Sequence, residues 1–262
     1  MNRIDSVFSS SRCKALVAYV TAGFPSIERT LEIIPKLASL GCDIIEIGIP
    51  FSDPLADGVT IQEASYSALK KGVTLESCLD MVRYLRRRIE VPLVFMSYFN
   101  PILSYGTKRF ALRSGQIGLD GVIIPDLPPE EGTELQDYLN QHGVHTIYLL
   151  SPNNTAKRIS AVARQSGGFI YLVSLTGVTG VRTRLPAGLE NFVASVRKYT
   201  SKPLCVGFGI STPEETARVA RIADGVIVGS RLVQLLAGDS LKSLAGFVKS
   251  LRQALDNPGL CK

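Results

Sequence analysis

Eight short apolar runs punctuate the chain, at residues 15–20, 43–47, 93–96, 121–124, 146–150, 169–173, 204–206 and 225–228. Each reads as a strand buried on both faces, because the run is continuous rather than alternating with polar residues. Between them lie stretches of helical period, at 28–40, 75–88, 130–140, 156–165, 189–198 and 213–221. Two more, 232–236 and 241–255, follow the last run. Helix hands over to strand through recurring glycine punctuation: Leu40-Gly41-Cys42-Asp43, Gly118-Leu119-Asp120-Gly121 and Gln141-His142-Gly143-Val144. Glycine just past a helix end, then an apolar run, is a common helix-to-strand loop. Eight strands alternating with helices predict an α/β fold, a single-domain (β/α)8 TIM barrel over residues 1–262. An open doubly wound sheet is disfavoured, since Tyr19-Val20-Thr21-Ala22-Gly23-Phe24-Pro25 follows the first strand in place of GxGxxG.

Composition narrows the function. No run of 18 or more apolar residues predicts a membrane span, and the N-terminus lacks an apolar signal region. Five scattered cysteines, odd in number and without a CxxC pair, point to a reducing cytoplasmic compartment. The two histidines, His142 and His145, share one connection, so neither a metal site nor a Ser-His-Asp apparatus is expected. The net charge of +6 does not imply nucleic acid. Its densest cluster, Arg83 with Arg86, Arg87 and Arg88, closes a helix, where cations oppose the helix dipole and face solvent. An enzyme with anionic substrates has the same balance.

In a barrel of this kind the chemistry belongs to the C-terminal ends of the strands. Glu46 lies inside the second apolar run, and a buried unpaired carboxylate is costly. Eleven residues on, Asp57 closes the loop Pro50-Phe51-Ser52-Asp53-Pro54-Leu55-Ala56-Asp57. Two carboxylates in unlike environments suit acid/base work. Phe24, Tyr98, Asn100 and Asp126 also fall at strand ends. The second half of the chain offers glycine-rich turns after three consecutive strands: Gly177-Val178-Thr179-Gly180, Gly207-Phe208-Gly209 and Gly229-Ser230. Such turns and a helix N-terminus let backbone N–H groups converge on a phosphate, here from Gly180, Phe208, Gly209, Gly229 and Ser230.

The run from Glu46 to Gly58, with Tyr98-Phe99-Asn100-Pro101-Ile102, Asp126-Leu127-Pro128-Pro129-Glu130-Glu131, Gly177-Val178-Thr179-Gly180 and Gly207-Phe208-Gly209-Ile210-Ser211, resembles the tryptophan synthase alpha subunit family. The likeness extends from about residue 8 to about residue 247. Val59 stands where a proline is usual, and Arg231 where a small residue usually follows Gly-Ser.

The resemblance implies retro-aldol cleavage of indole-3-glycerol phosphate to indole and glyceraldehyde 3-phosphate, without metal or cofactor in this chain. It assigns Glu46 to proton shuttling and Asp57 to the indole N–H. Phe24, Met96, Ile123, Pro125, Leu149 and Tyr171 are strand-end candidates for the indole walls, with Thr179 beside them. It further implies an α2β2 assembly with a pyridoxal-phosphate beta subunit, faced by Asp53 and by the Pro128 region. Two alternatives stay open: a catalytically silent activator of the beta subunit, and another phosphate-binding barrel of the tryptophan pathway.

Overall fold

The computed structural model describes residues 1–9, 14–173, 188–207, 209–238 and 240–257. Its strands are β1 (Ala15–Thr21), β2 (Ile44–Gly48), β3 (Leu93–Met96), β4 (Gly121–Ile123), β5 (His145–Ile147), β6 (Leu149–Leu150), β7 (Ile170–Val173), β8 (Leu204–Gly207) and β9 (Gly225–Val228). Every pairing is parallel, in the order β5-β4-β3-β2-β1-β9-β8-β7-β6. β5 and β6 are one stretch of chain interrupted at Tyr148. Its first half pairs with β4 and its second half with β7, so the ladder closes into an eight-stranded barrel. The expected (β/α)8 architecture is the observed one.

Although both faces of each strand are apolar, they belong to different cores. Val17, Tyr19, Ile44, Val94, Met96, Ile123, Ile147, Phe169, Tyr171, Cys205 and Ile227 fill the barrel interior. The alternate residues, such as Leu16, Ile45, Phe95, Val122 and Leu172, join the larger core under the helices. The barrel floor is closed by α1 (Arg3–Ser9), whose Ile4 is fully buried and whose Phe8 ring lies 5.9 Å from that of Phe169.

The outer ring comprises α2 (Ile27–Ser39), α3 (Val59–Lys70), α4 (Leu75–Arg86), α5 (Phe99–Tyr105), α6 (Thr107–Gln116), α7 (Thr133–Gln141), α8 (Ala156–Gln165), α9 (Leu189–Arg197), α10 (Pro213–Ala220), α11 (Ser230–Ala237) and α12 (Leu241–Leu255). α1, α3, α5 and α6 lie outside the stretches of helical period. α5 has seven residues with Pro101 inside, and Gly106 separates it from α6, so turn signals mask the helical period. Among the described residues, no helix is long and apolar enough to cross a membrane.

The aspartates that precede β2, β4 and β9 repeat one device at the barrel floor. Asp43 accepts the Leu16 amide at 2.8 Å, Asp120 that of Leu93 at 2.8 Å, and Asp224 that of Leu204 at 2.9 Å. Each satisfies an amide at the start of the preceding strand and is held by an arginine: Arg252, Arg86 and Arg197. Arg86 therefore departs from the solvated face expected of its cluster. It lies 2.8 Å from Asp120 and donates to the Gly118, Ile89 and Val91 carbonyls. A buried pair so fully hydrogen-bonded is costly to break from one side.

Candidate active site

The second strand delivers Glu46 to the barrel interior, level with Tyr19 of β1 and Val94 of β3. The side chain is 1% exposed, and its Oε2 has no hydrogen-bond partner among the described residues. Desolvation, and behind it the charge of Asp57, push the Glu46 carboxyl up to about 8. Glu46 is thus protonated at neutral pH, with one oxygen unpartnered among the described residues.

Asp57 reaches the same space from the loop after β2. That loop is pinned at both ends. The Ser65 hydroxyl accepts the Phe51 amide at 2.8 Å, and the Gln62 side chain donates to the Asp57 carbonyl at 2.9 Å. Between them, the Ala56 amide donates to the Tyr98 hydroxyl at 2.8 Å. The Tyr98 ring stacks on Phe51, centroids 5.1 Å apart. Burial raises the Asp57 carboxyl to about 6, and a hydrogen bond with the Tyr98 hydroxyl opposes that rise. The two carboxyls therefore straddle neutrality, Glu46 holding its proton where Asp57 has lost its own.

Both face a cavity of about 570 Å³. Tyr19, Met96, Tyr171 and Ile227 line it from the barrel wall, and Val59, Thr60 and Ile61 from the start of α3. Gly209, Ile210, Ser211 and Thr212 follow β8, while Gly229, Ser230, Arg231 and Gln234 follow β9. Two strand-end glycines make room for the tyrosines. A methyl group on Gly48 would overlap the Tyr19 hydroxyl, and one on Gly207 the Tyr171 hydroxyl. Gly209 sits at φ +81°, in the left-handed region. Gly229 and the first turn of α11 leave amides without intrahelical acceptors.

Of the residues expected from the sequence, Glu46, Asp57, Met96, Tyr171, Gly209, Gly229 and Ser230 meet at this cavity. Thr179, Gly180 and Phe208 lie outside the described residues. The remaining four indole-wall candidates are not on the described wall. Ile123 and Leu149 belong to the barrel's inner core, Phe24 packs against both cores, and Pro125 is half-buried after β4. Asp126 serves another purpose, accepting the Phe99 amide at 2.9 Å as a cap on α5. Asp53 is exposed on the loop after β2, and Pro128 is half-buried on the loop after β4. Tyr19, Ile61, Ile227 and Gln234 complete the wall without having stood out in the sequence. Tyr19 is the β1 residue in register with Glu46, and that pairing, which the fold supplies, turns it to the same inward face.

The family model for the tryptophan synthase alpha chain matches residues 7–256. The tryptophan synthase alpha chain of Dehalococcoides mccartyi is 52% identical over 257 residues, covering 98% of this chain and 100% of that one. That of Geobacter sulfurreducens is 48% identical, with 98% and 100% coverage. The chain belongs to the tryptophan synthase alpha chain family. Solved relatives share the architecture throughout. Tryptophan synthase subunit alpha from Legionella pneumophila superposes with a TM-score of 0.90 at 38% identity, covering 98% of this chain and 99% of that one. A Mycobacterium tuberculosis tryptophan synthase chain gives 0.91 at 34% identity, with 98% and 99% coverage. As a member of this family, the protein is a lyase of tryptophan biosynthesis that cleaves indole-3-glycerol phosphate to indole and glyceraldehyde 3-phosphate.

Proposed function

We propose that Glu46 and Asp57 carry out this cleavage while the glycine-rich ends of β8 and β9 hold the phosphate. The observation behind the reading is the Glu46 carboxyl: buried, protonated at neutral pH, and with one oxygen unpartnered at the cavity. Glu46 gives its proton to C3 of the indole ring. The positive charge that develops at the ring nitrogen is stabilised by the Asp57 carboxylate, which accepts the N–H hydrogen bond. Glu46, now ionised, takes the proton of the C3′ hydroxyl. The C3–C3′ bond then breaks, its electron pair neutralises the ring, and the C3′ oxygen becomes the aldehyde. One proton is given and one taken, so Glu46 ends as it began. Tyr19, Met96, Ile61 and Tyr171 supply walls for the indole ring. Release of indole from indole-3-glycerol phosphate, followed with and without a beta subunit, tests the reading. Absence of indole in both assays would favour a silent activator instead.

At the phosphate rim, Gly209→Val forces a branched side chain into a left-handed backbone. Ser230→Pro removes one amide at a helix position that otherwise tolerates proline. Both variants are expected to weaken glycerol 3-phosphate binding by about tenfold or more, since a hydrogen bond to a charged group contributes roughly 1.5–3 kcal/mol. Unchanged affinity in calorimetry for both would place the phosphate elsewhere.

The beta subunit of tryptophan synthase is the partner, in an α2β2 assembly, and pyridoxal phosphate belongs to that subunit. The cytoplasm is the compartment of the complex, a reading supported by the free, buried thiols of Cys42, Cys78 and Cys205. Leu55, 85% exposed on the loop that carries Asp57, gives the beta subunit an apolar contact beside the exposed Asp53 carboxylate. The Pro128 region lies on the loop after β4. Partner binding is expected to fix the loop and raise the cleavage rate. Asp53→Ala should then reduce stimulation by the beta subunit more than it reduces the rate of the lone chain. Equal losses in the two assays would remove Asp53 from the interface.

A further inference from the structure

Arg231 is the second residue of α11 and lines the same cavity as Glu46, Asp57 and the glycine turns. A cation there opposes the positive end of the helix dipole, and the first turn of α11 contains no acidic residue to offset it. Among the described residues Arg231 forms no ion pair, and its guanidinium is held only by a long 3.4 Å bond from Nη1 to the Gln234 side chain. Gln234 in turn reaches Thr60 of α3, also at 3.4 Å. The described lining holds two carboxylates, Glu46 and Asp57, and no cation except Arg231. Among the described residues, an anion entering this cavity therefore meets repulsion from an ionised Asp57 and one compensating charge, which stands next to Ser230.

We propose that Arg231 is a substrate-binding residue whose guanidinium closes on the phosphate dianion of substrate and product, adding charge-assisted hydrogen bonds to those of the backbone amides. The assignment rests on the phosphate rim described above. The arginine fork matches two phosphate oxygens at once. Its flexible stem lets the head leave Gln234 for the ligand without moving the helix. Backbone amides recognise any oxyanion, whereas a full positive charge favours two negative charges over one. Arg231 thus sets selectivity for a dianionic phosphoryl group, a property that a small residue at this position lacks.

Calorimetry on the full chain tests this with glycerol 3-phosphate, a dianion, and glycerol 3-sulfate, a monoanion of similar shape. Arg231→Ala is expected to weaken the phosphate ester about tenfold, the lower end of what a charge-assisted pair contributes. The sulfate ester should lose distinctly less, so that the ratio of the two affinities shrinks. Arg231→Lys keeps the charge without the fork and should restore most of that ratio. Gly209→Val, measured alongside, separates the two claims. Loss of binding in Gly209→Val with wild-type affinity and ratio in Arg231→Ala would overturn the role of Arg231 while leaving the rim in place. Full affinity in both variants would overturn the rim and, with it, Arg231. Equal weakening of both esters by Arg231→Ala would reduce the residue to a structural one and contradict the selectivity.

Discussion

Glu46→Gln is expected to lower indole release by on the order of 10²–10⁴-fold while leaving glycerol 3-phosphate binding intact, the loss typical of removing a positioned acid/base. Glutamine matches the shape of the protonated acid and keeps the hydrogen-bonding capacity of the site, but it can neither give nor take the proton. The proposed phosphate rim lies at the ends of β8 and β9, so ligand binding reports a folded site independently of the chemistry. The same substitution carries a stability signature. The folded-state value of Glu46, about 8, lies above the ordinary 4.5. The stabilisation linked to its proton is therefore fully present below pH 4.5 and is lost as pH rises through 8. Glutamine has no such dependence. Relative to wild type, Glu46→Gln should gain a few kcal/mol of stability between mildly acidic and alkaline pH, at roughly 1.4 kcal/mol for each pH unit separating the folded and unfolded values. Denaturant unfolding across that range measures it, and parallel curves for the two proteins would show that the carboxyl is not held protonated. Near-normal turnover by the variant would remove Glu46 from the reaction.

Asp57→Asn is expected to lower cleavage by about 10²–10³-fold, the range found when one electrostatic contact to developing charge is deleted. Asparagine still offers a carbonyl to the indole N–H and can keep the hydrogen bond with the Tyr98 hydroxyl. What it lacks is the negative charge that opposes the positive ring in the transition state. Because the charge of Asp57 helps to raise the Glu46 carboxyl, its removal should also move Glu46 downward. The alkaline loss of activity in Asp57→Asn should then begin at lower pH than in wild type. A large rate loss without that displacement would mean that the two carboxyls do not sense each other.

Much of the fold, and the pair of carboxyls that meets at the cavity, is readable from residue order. The apolar runs mark the strands because parallel strands in a barrel are buried on both sides, and Glu46 stands out because a carboxylate there needs a purpose. The same double burial conceals which residues face inward. With no polar alternation to mark the two sides, residue order points to Phe24 for the indole wall, whereas Tyr19 lines the cavity. The break at Tyr148 is equally hidden, since an outward apolar residue inside an apolar run carries no signal. Arg86 reads as one of four surface cations, because its partner Asp120 lies 34 residues away and only the fold brings them together. Arg231, a departure from the family pattern, acquires meaning only once α11 places it at the cavity.

The pH dependence of kcat/KM for indole release discriminates most sharply. With Asp57 ionised and Glu46 protonated in the reactive form, the profile should be a bell. Its acid limb should fall near pH 6 as Asp57 takes up a proton, and its alkaline limb near pH 8 as Glu46 loses one. The residual activity of Glu46→Gln should keep the acid limb and lose the alkaline one. A wild-type profile that is flat from about pH 6 to pH 8, or an alkaline limb that persists unchanged in Glu46→Gln, would contradict proton delivery by Glu46.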